Sequence, residues 1–182
     1  MVIELEVDRY TVVRAGIPGN GGSSPGLRPT LVLGLGNPIL TDDGVGVRVA
    51  EAVRAALPAD APVDVQEVSV GGLRLMEAML GRERVIIIDA CQTAYGPPGT
   101  VHRMGLDDLR AMSPTQHSTC GHDTSLVTAL EMGRRMGLPV PNDVVIYAVE
   151  VENVLDFSEE PTPAVARAIP ALRAAVLAEL GL

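Results

Sequence analysis

A three-layer α/β sandwich built on a mostly parallel, twisted central sheet is what this sequence predicts, and two periodicities predict it. Apolar runs of strand length recur at residues 31–35, 63–69, 84–89 and 144–149. The segments between them carry apolar residues at helical spacing. Such alternation argues for a parallel sheet covered on both faces, because parallel strands are joined by crossover helices and so read as continuous apolar runs.

The first helix is predicted from the stripe Val45, Val49, Ala52, Val53 and Ala56, closed by Leu57-Pro58. A second runs from near Gly72 to just before Gly81, and a third from about His122 through Leu126, Ala129, Leu130 and Gly133 to Gly137, whose flexible backbone suits a helix end. The last begins near Pro161-Thr162-Pro163 and carries Val165, Ala168, Ile169, Leu172 and Val176; Pro170 is expected to kink or restart it. Residues 100–105 add a short strand. Residues 1–29 differ in texture: an alternating stretch from Val2 to Val7 leads into the Gly/Pro/Ser-rich run 18–26. They are expected to form an extension dispensable for folding, with one domain over 30–182, since a chain of 182 residues suffices for one well-buried core.

Charge and composition exclude several functions. With 14 Lys and Arg against 23 Asp and Glu, the formal charge of -9 would repel a phosphate backbone, so nucleic acid is not an expected partner. No apolar run approaches the ~18 residues of a membrane helix; the run Val85 to Ile88 is strand-sized. Cys91 and Cys120 form no CxxC or disulfide framework, and no targeting motif opens the chain, so a cytoplasmic location is expected. Both cysteines read as small buried hydrophobes rather than nucleophiles.

The densest chemical signal lies where the first strand meets the first helix, in Gly34-Leu35-Gly36-Asn37-Pro38 followed by Asp42-Asp43-Gly44-Val45-Gly46. One carboxylate, assigned to Asp42, is expected to cap the helix. The second, Asp43, is then left at the strand's carboxyl end, where open α/β sheets place their ligands. Asp89 closes the apolar run 84–88 at the same edge, where a buried charge needs a partner or a metal. His122 stands at the mouth of the third helix. Two carboxylates and an imidazole from separate loops make a nitrogen/oxygen site with open positions, suited to borderline divalent ions such as nickel. Three such ligands cannot close a structural site, so the protein alone should hold nickel or zinc weakly.

These motifs together resemble the hydrogenase maturation protease family over about residues 30–180. The resemblance implies a phosphorylase/hydrolase-like arrangement of the sandwich. It also implies an endopeptidase that removes a short C-terminal peptide from the nickel-loaded large-subunit precursor of a nickel-iron hydrogenase. The metal-recognition residues would fall on Asp43, Asp89 and His122, with the nickel brought by the precursor. Some family members carry glutamate where Asp43 stands, one methylene longer. His117 lies close to His122, and the fit of the following helix favours His122.

The residues agree with such a protease by what they lack. There is no His-Glu-x-x-His helix and no pair of Asp-Thr-Gly loops, and Gly22-Ser23-Ser24-Pro25-Gly26 lies in the extension without the strand and helix of a nucleophile elbow. The alternatives are a peptidyl-tRNA hydrolase-like esterase, which shares Gly34-Leu35-Gly36-Asn37-Pro38; a nucleotide-binding module, which Ile39 spoils at the third glycine position; and a nickel or maturation chaperone without catalysis.

Overall fold

A computed structural model describes residues 29–69, 71–93, 95–112 and 123–182. Five strands form one sheet in the order β2-β1-β3-β5-β4, from β1 (Thr30–Leu35), β2 (Val63–Val68), β3 (Arg84–Cys91), β4 (Val101–Gly105) and β5 (Asp143–Glu150). The pairs β1–β2, β1–β3 and β3–β5 are parallel, and β4 runs antiparallel against the far edge of β5. The predicted short strand at 100–105 is therefore the antiparallel closing strand. Side chains on the central strands β1, β3 and β5 are buried on both faces, which is why these strands read as unbroken apolar runs.

Helices cover both faces, as the three-layer reading expects. On one side, α2 (Gly72–Met79), α3 (Leu106–Met112) and α4 (Asp123–Arg135) bury Leu75, Met79, Leu109, Leu126 and Leu130 against Leu31, Leu33, Val85, Ile87 and Ile146. On the other, α1 (Val45–Ala56) and α5 (Pro163–Glu179) bury Val45, Val49, Val53, Val165, Leu172 and Val176 against Val32, Ile86, Ile88 and Val145. The buried face of α1 is turned slightly from the expected stripe: Ala50 is buried, whereas Ala56 is exposed at the last turn. No helix among the described residues is long and apolar enough to cross a membrane.

Two expectations change. The seven-residue α3 was not anticipated, because a helix of two turns gives too little period to detect. Helix α5 runs as one element through Pro170 instead of restarting there. Pro170 is exposed, so its ring and the missing N–H fall on the solvent side, where helices curve outward and backbone carbonyls can turn to water.

The end of α5 is held to the sheet by a charge cluster. Glu179 accepts hydrogen bonds from Arg103 at 2.8 and 3.0 Å and from the Tyr147 hydroxyl at 3.0 Å, and pairs with Arg84, so one carboxylate joins α5 to β3, β4 and β5. The Arg103 hydrogen bonds, working against burial and assisted by Tyr147 and Arg84, hold the Glu179 carboxyl down at about 2, well below the usual carboxylate range. A carboxyl depressed by folding stabilises fully above its unfolded value and loses that contribution as pH falls toward its folded one. Glu179→Gln should therefore lower the thermal midpoint at neutral pH by roughly 4 °C, for a loss of about 1–2 kcal/mol, and flatten acid destabilisation between pH 4.5 and 2. A variant with the wild-type acid profile would remove Glu179 from this role.

Candidate active site

The first loop is shaped by close backbone approach. A Cβ on Gly46 would lie 2.3 Å from the carbonyl oxygens of both Leu35 and Ile88, and one on Gly34 would lie 2.3 Å from the Gly46 carbonyl oxygen. The glycines thus let the first turn of α1 rest directly on the carboxyl ends of β1 and β3. Gly36 then turns the chain with φ +122°, and its missing Cβ would fall 1.8 Å from the Asp43 carbonyl oxygen. The turn at 37–43 folds back so that the Asn37 N–H donates to Asp43 Oδ2 at 2.6 Å and the Asp43 N–H donates to the Leu40 carbonyl at 2.9 Å. Asp43 is half-buried, and its Oδ1 takes part in no hydrogen bond among the described residues. One oxygen is thus committed to shaping the turn.

Asp89 lies at the same edge, one residue beyond Ile88, whose carbonyl faces Gly46. It is buried, and its Oδ1 accepts the Ala90 N–H at 2.9 Å. Strand alternation puts it with Val85, Ile87 and Cys91 on the face covered by α2 and α4. Helix α4 begins at Asp123, immediately after His122. The two carboxylates of the expected triad thus occupy one sheet edge, at the ends of the neighbouring strands β1 and β3. His122, along with His117 and Cys120, lies outside the described residues. Cys91 is a buried free thiol within the core, as expected.

Asp42 does not cap α1. The residue at the cap position is Gly44, which makes no side-chain hydrogen bond, and the Asp42 side chain points instead to a segment more than a hundred residues away. Fully buried, it accepts the N–H groups of Glu152 (3.3 Å), Asn153 (3.1 Å) and Thr162 (2.7 Å), and the Thr162 hydroxyl (3.1 Å). The reason is that one carboxylate satisfies three backbone donors that the connection from β5 to α5 would otherwise bury unpaired, a larger gain than a single cap. Neighbouring Thr41 adopts φ +44°, a region β-branched residues avoid, and is held there by its hydroxyl on the Asp156 carbonyl (2.6 Å) and its N–H on the Ser158 carbonyl (2.9 Å). Asp42→Ala should cost about 2–4 kcal/mol and open the 152–162 segment to proteolysis. Wild-type resistance of that segment in the variant would refute the anchoring role.

A further buried carboxylate was missed by the sequence reading. Glu150 ends β5 opposite Cys91 and, by alternation, faces the same side as Asp89. It accepts the Thr93 N–H at 3.0 Å and the Thr93 hydroxyl, and His102 Nε2 on β4 lies 3.0 Å from its Oε1. Burial alone would raise its carboxyl, but the hydrogen bonds from Thr93 and His102 outweigh that and hold it below the ordinary range. Glu150 therefore pins the chain that leaves β3 just after Asp89. The signal was present, since an acid closing an apolar strand is the same pattern that singled out Asp89.

Comparisons with known proteins place the chain in a family and match its fold. The family model described as hydrogenase maturation protease matches residues 47–179. The Hydrogenase 2 maturation protease of Escherichia coli is 30% identical over 124 residues, covering 68% of this chain and 74% of that protein. The hydrogenase expression/formation protein HupD of Rhodobacter capsulatus is 30% identical over 160 residues, covering 86% and 74%. The solved structure of the hydrogenase maturating endopeptidase HybD from Escherichia coli superposes with a TM-score of 0.70 at 31% identity, covering 83% of this chain and 91% of that one. With its five-stranded sheet, its two edge aspartates and these relatives, the chain belongs to the hydrogenase maturation protease family and is a hydrolase of that endopeptidase class.

Proposed function

We propose that this protein removes a short C-terminal peptide from the nickel-loaded large-subunit precursor of a nickel-iron hydrogenase, recognising the precursor's own nickel through Asp43, Asp89 and His122. The observation that carries the reading is the placement of Asp43 and Asp89 at the adjoining carboxyl ends of β1 and β3, with α4 entering over the face Asp89 occupies. Carboxylate and imidazole donors suit a borderline divalent ion that keeps open positions, and the precursor would fill the remainder. The nickel is substrate here, and the free enzyme retains it only weakly.

Held by Asp43, Asp89 and His122, the precursor's nickel would supply electrophilic assistance to the cleavage. The protein's own contribution is positional. The turn at 37–43, locked by the Asn37–Asp43 hydrogen bond, and β3 hold the two carboxylates on rigid elements, and either can accept a proton from the attacking water. We place the reaction in the cytoplasm, where the buried thiol Cys91 would remain reduced.

Incubation with purified nickel-loaded precursor, followed by intact-mass analysis, tests the function. Loss of a defined C-terminal peptide is expected. A precursor that binds but keeps its full mass would support a maturation chaperone instead.

A further inference from the structure

Five of the eight large apolar side chains exposed among the described residues, Ile39, Leu73, Tyr95, Leu155 and Phe157, follow the carboxyl ends of β1, β2, β3 and β5. They therefore gather at the sheet edge that holds Asp43 and Asp89. The most exposed are Leu155 at 83% and Phe157 at 82%, and Phe157 is the chain's single phenylalanine. Large apolar groups left so open cost solvation without contributing to the core, and Ile39, Leu155 and Phe157, which the Leu40–Ser158 bridge brings onto one surface, mark an interaction site.

The segment that presents them is held rigidly. Asp42 ties both of its ends through Glu152, Asn153 and Thr162. Within it, Asn153 Oδ1 accepts the N–H groups of Leu155 and Asp156, and Asn153 Nδ2 donates to Asp156 at 2.9 Å. A parallel bridge between Leu40 and Ser158 joins it to the turn that carries Asp43 and brings Ile39 beside Phe157, each one residue before the bridge. Rigid display lowers the ordering cost of binding, because the apolar groups are already in place. The rim is acidic: Glu152, Asp156, Glu159 and Glu160 are exposed, and no Lys or Arg occurs from 149 to 166.

We propose that the Asp42-anchored segment 152–162, together with Ile39, is the docking platform for the large-subunit precursor, taking a stretch of apolar side chains flanked by Lys or Arg. This inference rests on the processing function proposed above and names the surface that brings the precursor to it. Apolar contact with Leu155, Phe157 and Ile39 supplies affinity, and the acidic rim supplies orientation and encounter rate.

The test compares wild-type protein with Leu155→Ser/Phe157→Ser and with Glu159→Lys/Glu160→Lys, measuring both precursor binding by calorimetry and cleavage of nickel-loaded precursor. The affected side chains are exposed, so melting temperatures should stay near wild type. The apolar double variant should raise Kd and KM at least tenfold, with the loss read in KM rather than kcat. The charge-reversed variant should also bind more weakly, and wild-type affinity should fall with added salt. Unchanged Kd and KM in Leu155→Ser/Phe157→Ser would overturn the proposal. So would a wild-type dimer that dissociates in that variant, since a second copy would then cover the surface. If wild-type protein binds the precursor without cutting it and the variant loses binding, docking stands and processing falls. If wild-type protein neither binds nor cuts, both fall.

Discussion

Asp43→Asn is expected to reduce cleavage of nickel-loaded precursor at least ~100-fold while leaving the thermal midpoint nearly unchanged. The separation follows from the two oxygens of Asp43. Oδ2 accepts the Asn37 N–H at 2.6 Å, a bond that an asparagine side-chain carbonyl can also accept, so the turn at 37–43 keeps its shape. What the substitution removes is the negative charge, on which both attraction to a divalent ion and proton acceptance depend. Asp89→Asn should behave alike, because the Ala90 N–H retains an acceptor. Measured kcat/KM beside circular dichroism and melting curves distinguishes the outcomes: full activity in Asp43→Asn would remove that charge from the reaction, and a collapsed melting curve would assign Asp43 to structure.

Gly46→Ala should produce the largest loss of stability, about 3–5 kcal/mol, or a fall in thermal midpoint of roughly 10 °C. A single methyl group would sit 2.3 Å from two carbonyl oxygens and 2.8 Å from the Leu35 nitrogen, all of them backbone in the centre of the sheet. None of these atoms can swing aside as a side chain would. Helix α1 must withdraw from β1 and β3, separating Val45 and Val49 from the core and displacing Asp43, three residues upstream. Activity should therefore fall with stability, unlike in Asp43→Asn. A Gly46→Ala protein with the wild-type midpoint would show that the close approach of α1 to the sheet is not required.

What the sequence made legible depended on how local each physical cause was. The strands β1, β3 and β5 were readable because burial on both faces leaves an unbroken apolar run, and α1, α2 and α4 because their apolar periods and their ends, Leu57-Pro58 for α1 and glycines for α2 and α4, are local signals. The placement of Asp43 and Asp89 at one sheet edge was readable, because Asp89 closes a buried strand and Asp43 follows the turn that leaves another. The role of Asp42 was not, since its partners are 110 to 120 residues distant and nothing in the motif announces them. Glu150 carried the same strand-end signal as Asp89, yet its meaning depends on Thr93 and on β4, whose antiparallel return brings His102 alongside. Pro170 was read as a kink or a restart, and α5 continues through it without a restart, with the proline on the solvent side where nearby carbonyls can turn to water.

Nickel-directed recognition can be tested by comparing loaded and unloaded precursor. Enzyme treated with chelator and desalted is mixed with nickel-loaded and with nickel-free precursor at equal concentration, and release of the C-terminal peptide is followed by mass. Cleavage of the loaded precursor alone is expected, because Asp43, Asp89 and His122 would have nothing to engage on the other. Equal cleavage of both precursors, or cleavage of the nickel-free one once zinc is returned to the enzyme, would contradict it.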